Sequence, residues 1–522
     1  MRTAARVLLP PGVRGGKVVK MADPTTTADV PAGLRYASGP GRWVLAATVL
    51  GSAIASIDAT VVGIALPAIG REFDTGLATL QWVVTAYALT LAGLLLIAGA
   101  LGDQYGRRRV FLTGVVWFAL ASVVCGLAPN APVLIAARAL QGVGAALLTP
   151  GSLAILQASF VPEDRGKAIG AWSGLSGVAT AVGPFLGGWL VEVASWRLIF
   201  AINLPIAATV LALAWRHVPE SHDPGANARV DVTGGLLVTF GLVGLTYGLI
   251  EGPASGWASP GVVAALVTGG VLLAAFAAWE RRTDSPMLPL DLFSSTQFTA
   301  TNLVTFVVYG ALGGALFLLP IQLQQVSGYT ALQAGVSLLP LTLIMLALSA
   351  RSGALAARIG PRLQMSVGPV LVGAGLALFT RIGPTGDYLT EVLPAVVVLG
   401  LGLATTVAPL TATVLAAAPE RHAGMASAVN NDVARAAGLI AVAVLPAAAG
   451  ITGAAYLDPE RFSTCFHTAS SISGGLCILA GVLAAGTIRN PHPAALAKAV
   501  PTGVVHCGLD APPAHAAPAA RT

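Results

Sequence analysis

Charge is what this chain lacks most when set against a soluble protein. Only 10% of its 522 residues are Asp, Glu, Lys or Arg, against about a quarter in ordinary soluble proteins, so the wetted surface that several globular domains would need is missing. Cysteine is scarcer still, at four residues. Cys125, Cys465, Cys477 and Cys507 show no paired spacing, which argues against a disulfide framework or a thiolate metal site. The seven histidines contain no H-x-x-x-H pair, so a helical zinc site is unsupported. The phosphate-cradling pattern G-x-x-x-x-G-K-[ST] is missing as well, since Gly16-Lys17 and Gly166-Lys167 lack the remainder, and no ATP hydrolysis is expected. No nucleophile, base and oxyanion donor gather on one stretch, so an enzyme is not expected either.

What the chain does have is apolar length. Hydrophobic residues make up 55% of it, arranged in fourteen runs at about 43–69, 79–99, 110–128, 132–157, 168–191, 198–217, 232–251, 261–279, 298–320, 331–350, 365–382, 391–417, 424–449 and 470–487. Each approaches the ~20 residues that carry a helix across a bilayer core. The net charge of +6 is distributed unevenly. One set of short loops holds thirteen basic residues: Arg107, Arg108, Arg109, Arg165, Lys167, Arg216, Arg229, Arg281, Arg282, Arg351, Arg358, Arg362 and Arg421. The opposite set holds four, Arg71, Arg197, Arg381 and Arg461. That asymmetry places the richer loops and both termini in the cytosol and explains the charge without nucleic acid. The Pro- and Gly-rich segment 1–42 and the Pro/Ala-rich segment 488–522 read as disordered cytosolic tails, and Met21 is a plausible alternative start.

The pattern is organised around Gly99-Ala-Leu-Gly-Asp103-Gln-Tyr-Gly106-Arg107-Arg108-Arg109, a charged turn between two apolar runs. It has an echo. Gly99, Leu101, Gly106 and Arg108 recur as Gly353, Leu355, Gly360 and Arg362 at a constant offset of 254 residues, while Asp103 becomes Ala357. Corresponding turns of a duplicated unit behave this way. The offset is too long for adjacent six-helix units, and two inserted helices, the seventh and eighth, account for the surplus. The division expected is a six-helix bundle over 43–217, a linker with the two extra helices over 218–297, and a second six-helix bundle over 298–487.

Asp58 lies near the middle of the first run, where an acid costs at least about 2.5 kcal/mol and usually faces a polar cavity or partner. Arg138 and Gln141 share a face of the fourth helix at i, i+3, with Gly142 and Gly144 allowing close approach. Counted from the outer helix ends, Asp58 is about 16 Å deep and Arg138 about 9 Å, a gap that a long arginine spans. A coupled pair and a static ion pair are both open at this point. The fifth helix carries Gly170, Gly174 and Gly177, then Gly183-Pro184-Phe-Leu-Gly187-Gly188. Its small residues form a packing face and Pro184 promotes a kink. Trp196-Arg197 reads as an interfacial anchor. The ninth to twelfth helices offer Asn302, Tyr309, Gln322, Gln324 and Gln325 but no buried acid, and in the thirteenth Asp432 and Arg435 stand at the spacing of a structural pair, after Asn430 and Asn431.

Together these stretches resemble the major facilitator superfamily, an all-α membrane fold. The Gly99–Arg109 turn is similar to its loop signature, Arg138-x-x-Gln141-Gly142 to its helix 4 signature, and Gly183-Pro184-x-x-Gly187-Gly188 to the helix 5 signature of antiporters. Asp58-Ala-Thr-Val-Val, Gln81-Trp82-Val-Val-x-x-Tyr87, Trp196-Arg-x-x-Phe200-x-Ile-Asn203-x-Pro205 and Phe317-Leu-Leu-Pro320-x-Gln322-x-Gln-x-x-Ser-Gly328 resemble marks of its fourteen-span drug/proton antiporters of the quaternary-ammonium and multidrug efflux type. The resemblance covers roughly 43–487. It implies two six-helix bundles, plus two additional helices, around a cavity that opens alternately to either side.

Carried over by position, the resemblance makes Asp58, Arg138 and Gln141 the proton and substrate coupling group. Gly99, Asp103, Gly106, Arg107 and Arg108 become a cytosolic gate, and Gly183, Pro184, Gly187 and Gly188 control helix bending. Trp82, Tyr87, Asn302, Tyr309, Asn430 and Asn431 are candidates for the cavity wall. No cofactor or metal is expected, the proton gradient being the energy source. The implied partners are a small-molecule substrate, protons and the lipid bilayer of the plasma membrane, with a monomer as the working expectation. The function expected is export of hydrophobic neutral or monocationic compounds in exchange for protons. The alternatives are a dedicated exporter of one endogenous metabolite or antibiotic, a symporter, and a non-transporting membrane sensor, for which the short loops leave no signalling domain.

Overall fold

The structure is a computed structural model and describes residues 33–222, 231–283, 286–418 and 423–490. Most of both tails, Met21, Arg229, Arg421 and Cys507 lie outside the described residues. Among the described residues, fourteen helices are long and apolar enough to cross a membrane. They are α1 (Gly39–Phe73), α2 (Leu77–Tyr105), α3 (Arg107–Gly126), α4 (Ala131–Ser159), α5 (Pro162–Val193), α6 (Leu198–His217), α7 (Val232–Ser255), α8 (Pro260–Glu280), α9 (Thr296–Val326), α10 (Ala331–Ile359), α11 (Arg362–Arg381), α12 (Tyr388–Ala417), α13 (Met425–Ala448) and α14 (Pro459–Thr487).

Local chemistry sets their ends. Asn130 caps α4 by accepting from Val133 N at 3.0 Å, ahead of Pro132, and Thr330 and Gln333 form a capping box at the start of α10. Gly106 at φ +107° and Gly360 at φ +85° end α2 and α10 in a backbone region that side chains avoid.

Two expectations need correction. The helix α14 starts at Pro459 rather than near 470, capped by Asp458, whose Oδ1 accepts from Glu460 N and Arg461 N. Its first turns bury Phe462, Phe466 and Ala469 on one face, but Ser463, Thr464, His467 and Thr468 dilute the average that a hydropathy reading depends on. The segment 33–38 is not tail: Leu34 bridges to Phe160, and Tyr36 N donates to Asp164 Oδ2 at 3.0 Å. Trp196 is 3% exposed, and its indole N–H and the Arg197 guanidinium both reach Glu72 at the end of α1, which gives the buried indole its hydrogen-bond partner.

Helices α1 to α6 pack mainly on one another, as do α9 to α14. The pair α7 and α8 touches closely through Gly244 and Gly269, where a Cβ on Gly244 would lie 3.0 Å from Gly269 Cα. It docks through α7 against α2 and α13, leaving Val267 and Val271 of α8 exposed as a lipid-facing surface.

The two halves meet at one end. Among the described residues, every hydrogen bond between α1–α6 and α9–α14 lies toward the turn at Asp74: Gln324 Nε2 to Ile64 O at 3.0 Å, Gln81 Nε2 to Val442 O at 2.6 Å and to Ala443 O at 3.4 Å, and Leu332 N to Glu192 Oε2 at 3.2 Å. There α5 presses on α10, so that a Cβ on Gly188 would lie 2.4 Å from Ala331 O and one on Gly335 2.2 Å from Pro184 O. The same face of α5 continues at spacings of three and four to Gly177, Gly174 and Gly170. At those three, a Cβ would meet nothing within 4 Å. The glycine face therefore packs at one end only, and the bundle is open toward the Gly106 end.

Candidate functional site

Asp58 and Arg138 meet deep inside α1–α6, at 1% exposure each. Arg138 Nη1 pairs with Asp58 Oδ2 and also donates to Gln141 Oε1 at 2.6 Å, while its Nε donates to Val83 O at 3.1 Å. The other carboxylate oxygen, Asp58 Oδ1, accepts from Gln141 Nε2 at 2.8 Å and from Asn203 Nδ2 at 2.9 Å. Ser122 Oγ of α3 accepts from Gln141 Nε2 at 2.8 Å and from Asn203 Nδ2 at 3.3 Å, closing a ring of side chains from four helices. The Tyr87 ring lies 4.3 Å below the guanidinium carbon, with its hydroxyl donating to Ala55 O at 3.2 Å.

Helix geometry explains the convergence. Arg138 and Gln141 share a face of α4, and Ser122 and Cys125 share one of α3, each at i, i+3. The helices α2 and α4 touch at Gly142, where a Cβ would lie 2.0 Å from Thr90 Oγ1, and α3 and α4 touch at Gly144, where a Cβ would lie 2.7 Å from Phe118 N. These glycines bring the backbones near enough for short side chains to meet the ion pair. One acceptor in the ring stays free, since Asn203 Oδ1 is sealed from solvent without a hydrogen-bond partner. An orphaned buried acceptor costs about 1–3 kcal/mol.

Asp58 was expected to face a polar cavity or partner, and it is a partner that it meets. Asn203 and Ser122 join as members that sequence reasoning did not assign. A single amide in an otherwise apolar run was the available signal for Asn203. Ser122 carried none, because lone serines are common in membrane helices.

The Gly106 turn sits apart, at the open end. Arg107 pairs with Asp103 of its own turn, Nη2 to Oδ1 at 2.7 Å. Arg108 turns to the segment after α6: its backbone N donates to Glu220 Oε1 at 3.0 Å and its Nη1 to Val218 O at 3.1 Å. The echo is built the same way. Arg362 N donates to Asn490 Oδ1 at 3.0 Å, and Asn490 follows α14 as Glu220 follows α6. Each left-handed glycine is covered by that side chain, at 2.9 Å from Glu220 Cδ for a Cβ on Gly106 and 2.2 Å from Asn490 Cγ for one on Gly360. The duplicated turn therefore keeps its design without Asp103, because the backbone needs only one acceptor from the segment that follows the sixth helix. Gly106→Ala is expected to lower stability by at least about 1–2 kcal/mol through left-handed strain alone, with Glu220 displaced in addition, as thermal unfolding in detergent will show. Gly99 lies near Pro150, 3.8 Å from a built Cβ.

At the far end of α5, a Cβ on Gly183 would meet Thr60 Oγ1 at 2.0 Å, and one on Gly187 would meet Val61 Cγ1 at 3.0 Å. These glycines dock α5 on α1 near Asp58. Pro184 is accommodated inside a continuous helix.

The candidates for the cavity wall separate. Tyr87 belongs to the ion-pair cluster. Trp82 is half-buried against α7, its indole N–H donating to Glu251 Oε1 at 3.0 Å. Asn430 Nδ2 donates to Asn302 Oδ1 at 3.0 Å and to Thr305 Oγ1 at 2.8 Å, a buried tie between α13 and α9. Asn431 is exposed and donates to Ser427 O at 2.9 Å, and Tyr309 is half-buried. Asp432 and Arg435 do not pair: the ion pairs among the described residues do not include them, and Asp432 Oδ1 is sealed from solvent with no partner. No group of three or more metal-ligating side chains gathers among the described residues.

Residues 48–443 match the sequence profile of the Major Facilitator Superfamily. The chain is 37% identical over 466 residues to the puromycin resistance protein pur8 of Streptomyces alboniger, covering 85% of this chain and 91% of that one. It is 38% identical over 418 residues to the multidrug resistance protein Stp of Mycobacterium tuberculosis (strain CDC 1551 / Oshkosh), covering 80% and 77%. Among solved structures, it is similar in fold to a bacterial homologue of the human lysosomal transporter Spinster, with a TM-score of 0.59, 16% identity and coverage of 87% and 100%. With fourteen spans and relatives of this kind, the protein is a multi-pass plasma-membrane transporter rather than an enzyme, and it belongs to the Major Facilitator Superfamily.

Proposed function

We propose that this transporter exports hydrophobic neutral or monocationic compounds in exchange for protons, by alternating access, with Asp58 as the carboxylate that couples the two. The observation that carries the reading is the buried ion pair of Asp58 and Arg138. Breaking such a pair by neutralising one partner leaves the other charge uncompensated, at a cost of about 3–5 kcal/mol. A proton taken up by Asp58 strips Arg138 of its counter-charge and drives the α1, α3, α4 and α6 contacts to rearrange. The proton's arrival is thereby felt as a packing change, which is the step that antiport requires.

The one-ended contact between the halves supplies the second component. In this reading the basic turns at Gly106 and Gly360 face the cytosol, both termini lie there, and the structure is open inward. Gly170, Gly174 and Gly177 are then the surface on which α5 closes against the second half in the outward-open state. The reading treats residues 43–217 and 298–487 as the two moving bundles, and 218–297 as an addition to them.

The relatives' names favour one narrower version, export of a single antibiotic, since pur8 is named for puromycin. One experiment tests both. Inside-out vesicles holding the protein are given ethidium or puromycin under an imposed pH gradient, with and without a proton ionophore. Uptake that collapses with the gradient supports antiport, and uptake of puromycin alone selects the narrow version. Transport indifferent to the gradient ends the antiport reading.

A further inference from the structure

A second pair of carboxylates lies away from Asp58, where α7, α8 and the segment leading into α9 meet, with Glu280 buried and Asp231 half-buried. Asp231 caps α7, its Oδ1 accepting from Gly234 N at 2.8 Å and from the Trp279 indole N–H at 2.9 Å. Glu280 closes α8 at 4% exposure, its Oε2 accepting from Leu288 N at 2.9 Å. The two remaining oxygens, Asp231 Oδ2 and Glu280 Oε1, are both sealed from solvent and both without a partner. They crowd one point. A Cβ on Gly234 would lie 2.5 Å from the first and 2.8 Å from the second.

Neither carboxylate forms an ion pair with a described residue. Around them α8 contributes Trp279 and the exposed Arg281 and Arg282, the following segment contributes Met287 and Leu288, and α2 contributes Ile97, which would lie 2.2 Å from a Cβ on Gly235. Two carboxylate oxygens sealed from solvent, with no paired cation among the described residues, disfavour two charges at the site. A bound cation or a proton would resolve the conflict. Mg²⁺ and Ca²⁺ take six or more oxygens, whereas here only two are free and the other two are already held by N–H donors. A proton needs only two.

We propose that Asp231 and Glu280 share one proton, and that this proton fastens the α7–α8 hairpin shut and, through Leu288, ties it to the segment that enters the second half. Losing the proton places two negative charges at one point and opens the junction, so opening is favoured as pH rises. The inference concerns only the hairpin and does not depend on the transport reading.

Hydrogen–deuterium exchange on the purified full chain tests it, from about pH 6 to about pH 9, after correction for the intrinsic chemistry of amide exchange. In the wild type, peptides covering Val232–Gly235 and Met287–Leu292 should lose protection by up to about tenfold per pH unit beyond that correction, one proton being released on opening. In Glu280→Gln the amide donates to Asp231 Oδ2 without a titrating proton, so the excess loss should vanish. Asp231→Asn, which still caps α7, should flatten the response in the same way. Wild-type protection that does not change with pH, or an unchanged response in both variants, overturns the proposal. So does protection restored at high pH by Na⁺, K⁺ or Mg²⁺, which would make the pair a cation site.

Discussion

Vesicles carrying Asp58→Asn are expected to accumulate substrate under a proton gradient no better than empty membranes. Asparagine keeps the shape of the side chain, and its oxygen can still accept from Gln141 and Asn203, which hold Asp58 Oδ1 at 2.8 and 2.9 Å. What it lacks is a charge for Arg138 and a site for the proton. The Arg138 guanidinium is left with the carbonyl of Val83 and the amide of Gln141, and stability should fall by about 3–5 kcal/mol, seen as a lowered unfolding temperature in detergent. That loss alone could silence the protein, so a second variant separates folding from coupling. Asp58→Asn combined with Arg138→Gln removes both charges and should recover most of the stability, since the penalty lies in the unpaired member. Transport should stay absent. A double variant that regains gradient-driven uptake would show the pair to be a structural fastening only.

The second large effect is expected at Gly174. Nothing lies within 4 Å of a Cβ built there, so Gly174→Trp should fold with an unfolding temperature at or above that of the wild type. Transport should nevertheless fall to background, because the indole would stand between α5 and α10 when that end closes. The contrast is Gly188, on the same face but in the closed end, where a Cβ would already be 2.4 Å from Ala331 O and any side chain forces the helices apart at once. Gly188→Trp should therefore lower stability rather than arrest a stable state. Spin labels on α5 and α10 near Gly174 and Gly353 would report the arrest as a single long distance that substrate does not shorten. A Gly174→Trp protein that transports normally would refute closure along this face.

Part of the site is legible in the chain because its spacing is that of one helix. Arg138 and Gln141 stand at i, i+3, and an acid at the centre of an apolar run is conspicuous whatever surrounds it. The partners that complete the ring are not. Ser122 and Asn203 come from α3 and α6, and no local rule says which of many small polar residues in a membrane helix turns inward. Glu220 and Asn490 show the same limit. The repeat at Gly106 and Gly360 was visible as an offset, but the two acceptors that cover the glycines do not repeat at that offset, and only the fold places them equivalently. Asp432 and Arg435 give the opposite lesson. Their spacing permits a pair, and the structure does not form one.

By itself the sequence determined the number of spans, their approximate positions and the duplication, because each follows from hydropathy or identity within a contiguous stretch and lipid demands helices that satisfy their own backbone. The family followed too, from motifs that are each local in the chain. The tertiary structure alone decided which polar groups are buried together, because that depends on the rotation of each helix about its axis, and rotation is set by close contacts between glycines and side chains on different helices. It also decided that α5 meets α10 at one end only, since the glycine face reads the same along its whole length and only the separation of the halves tells the packed end from the open one. Helix-by-helix periodicity carries no record of that separation.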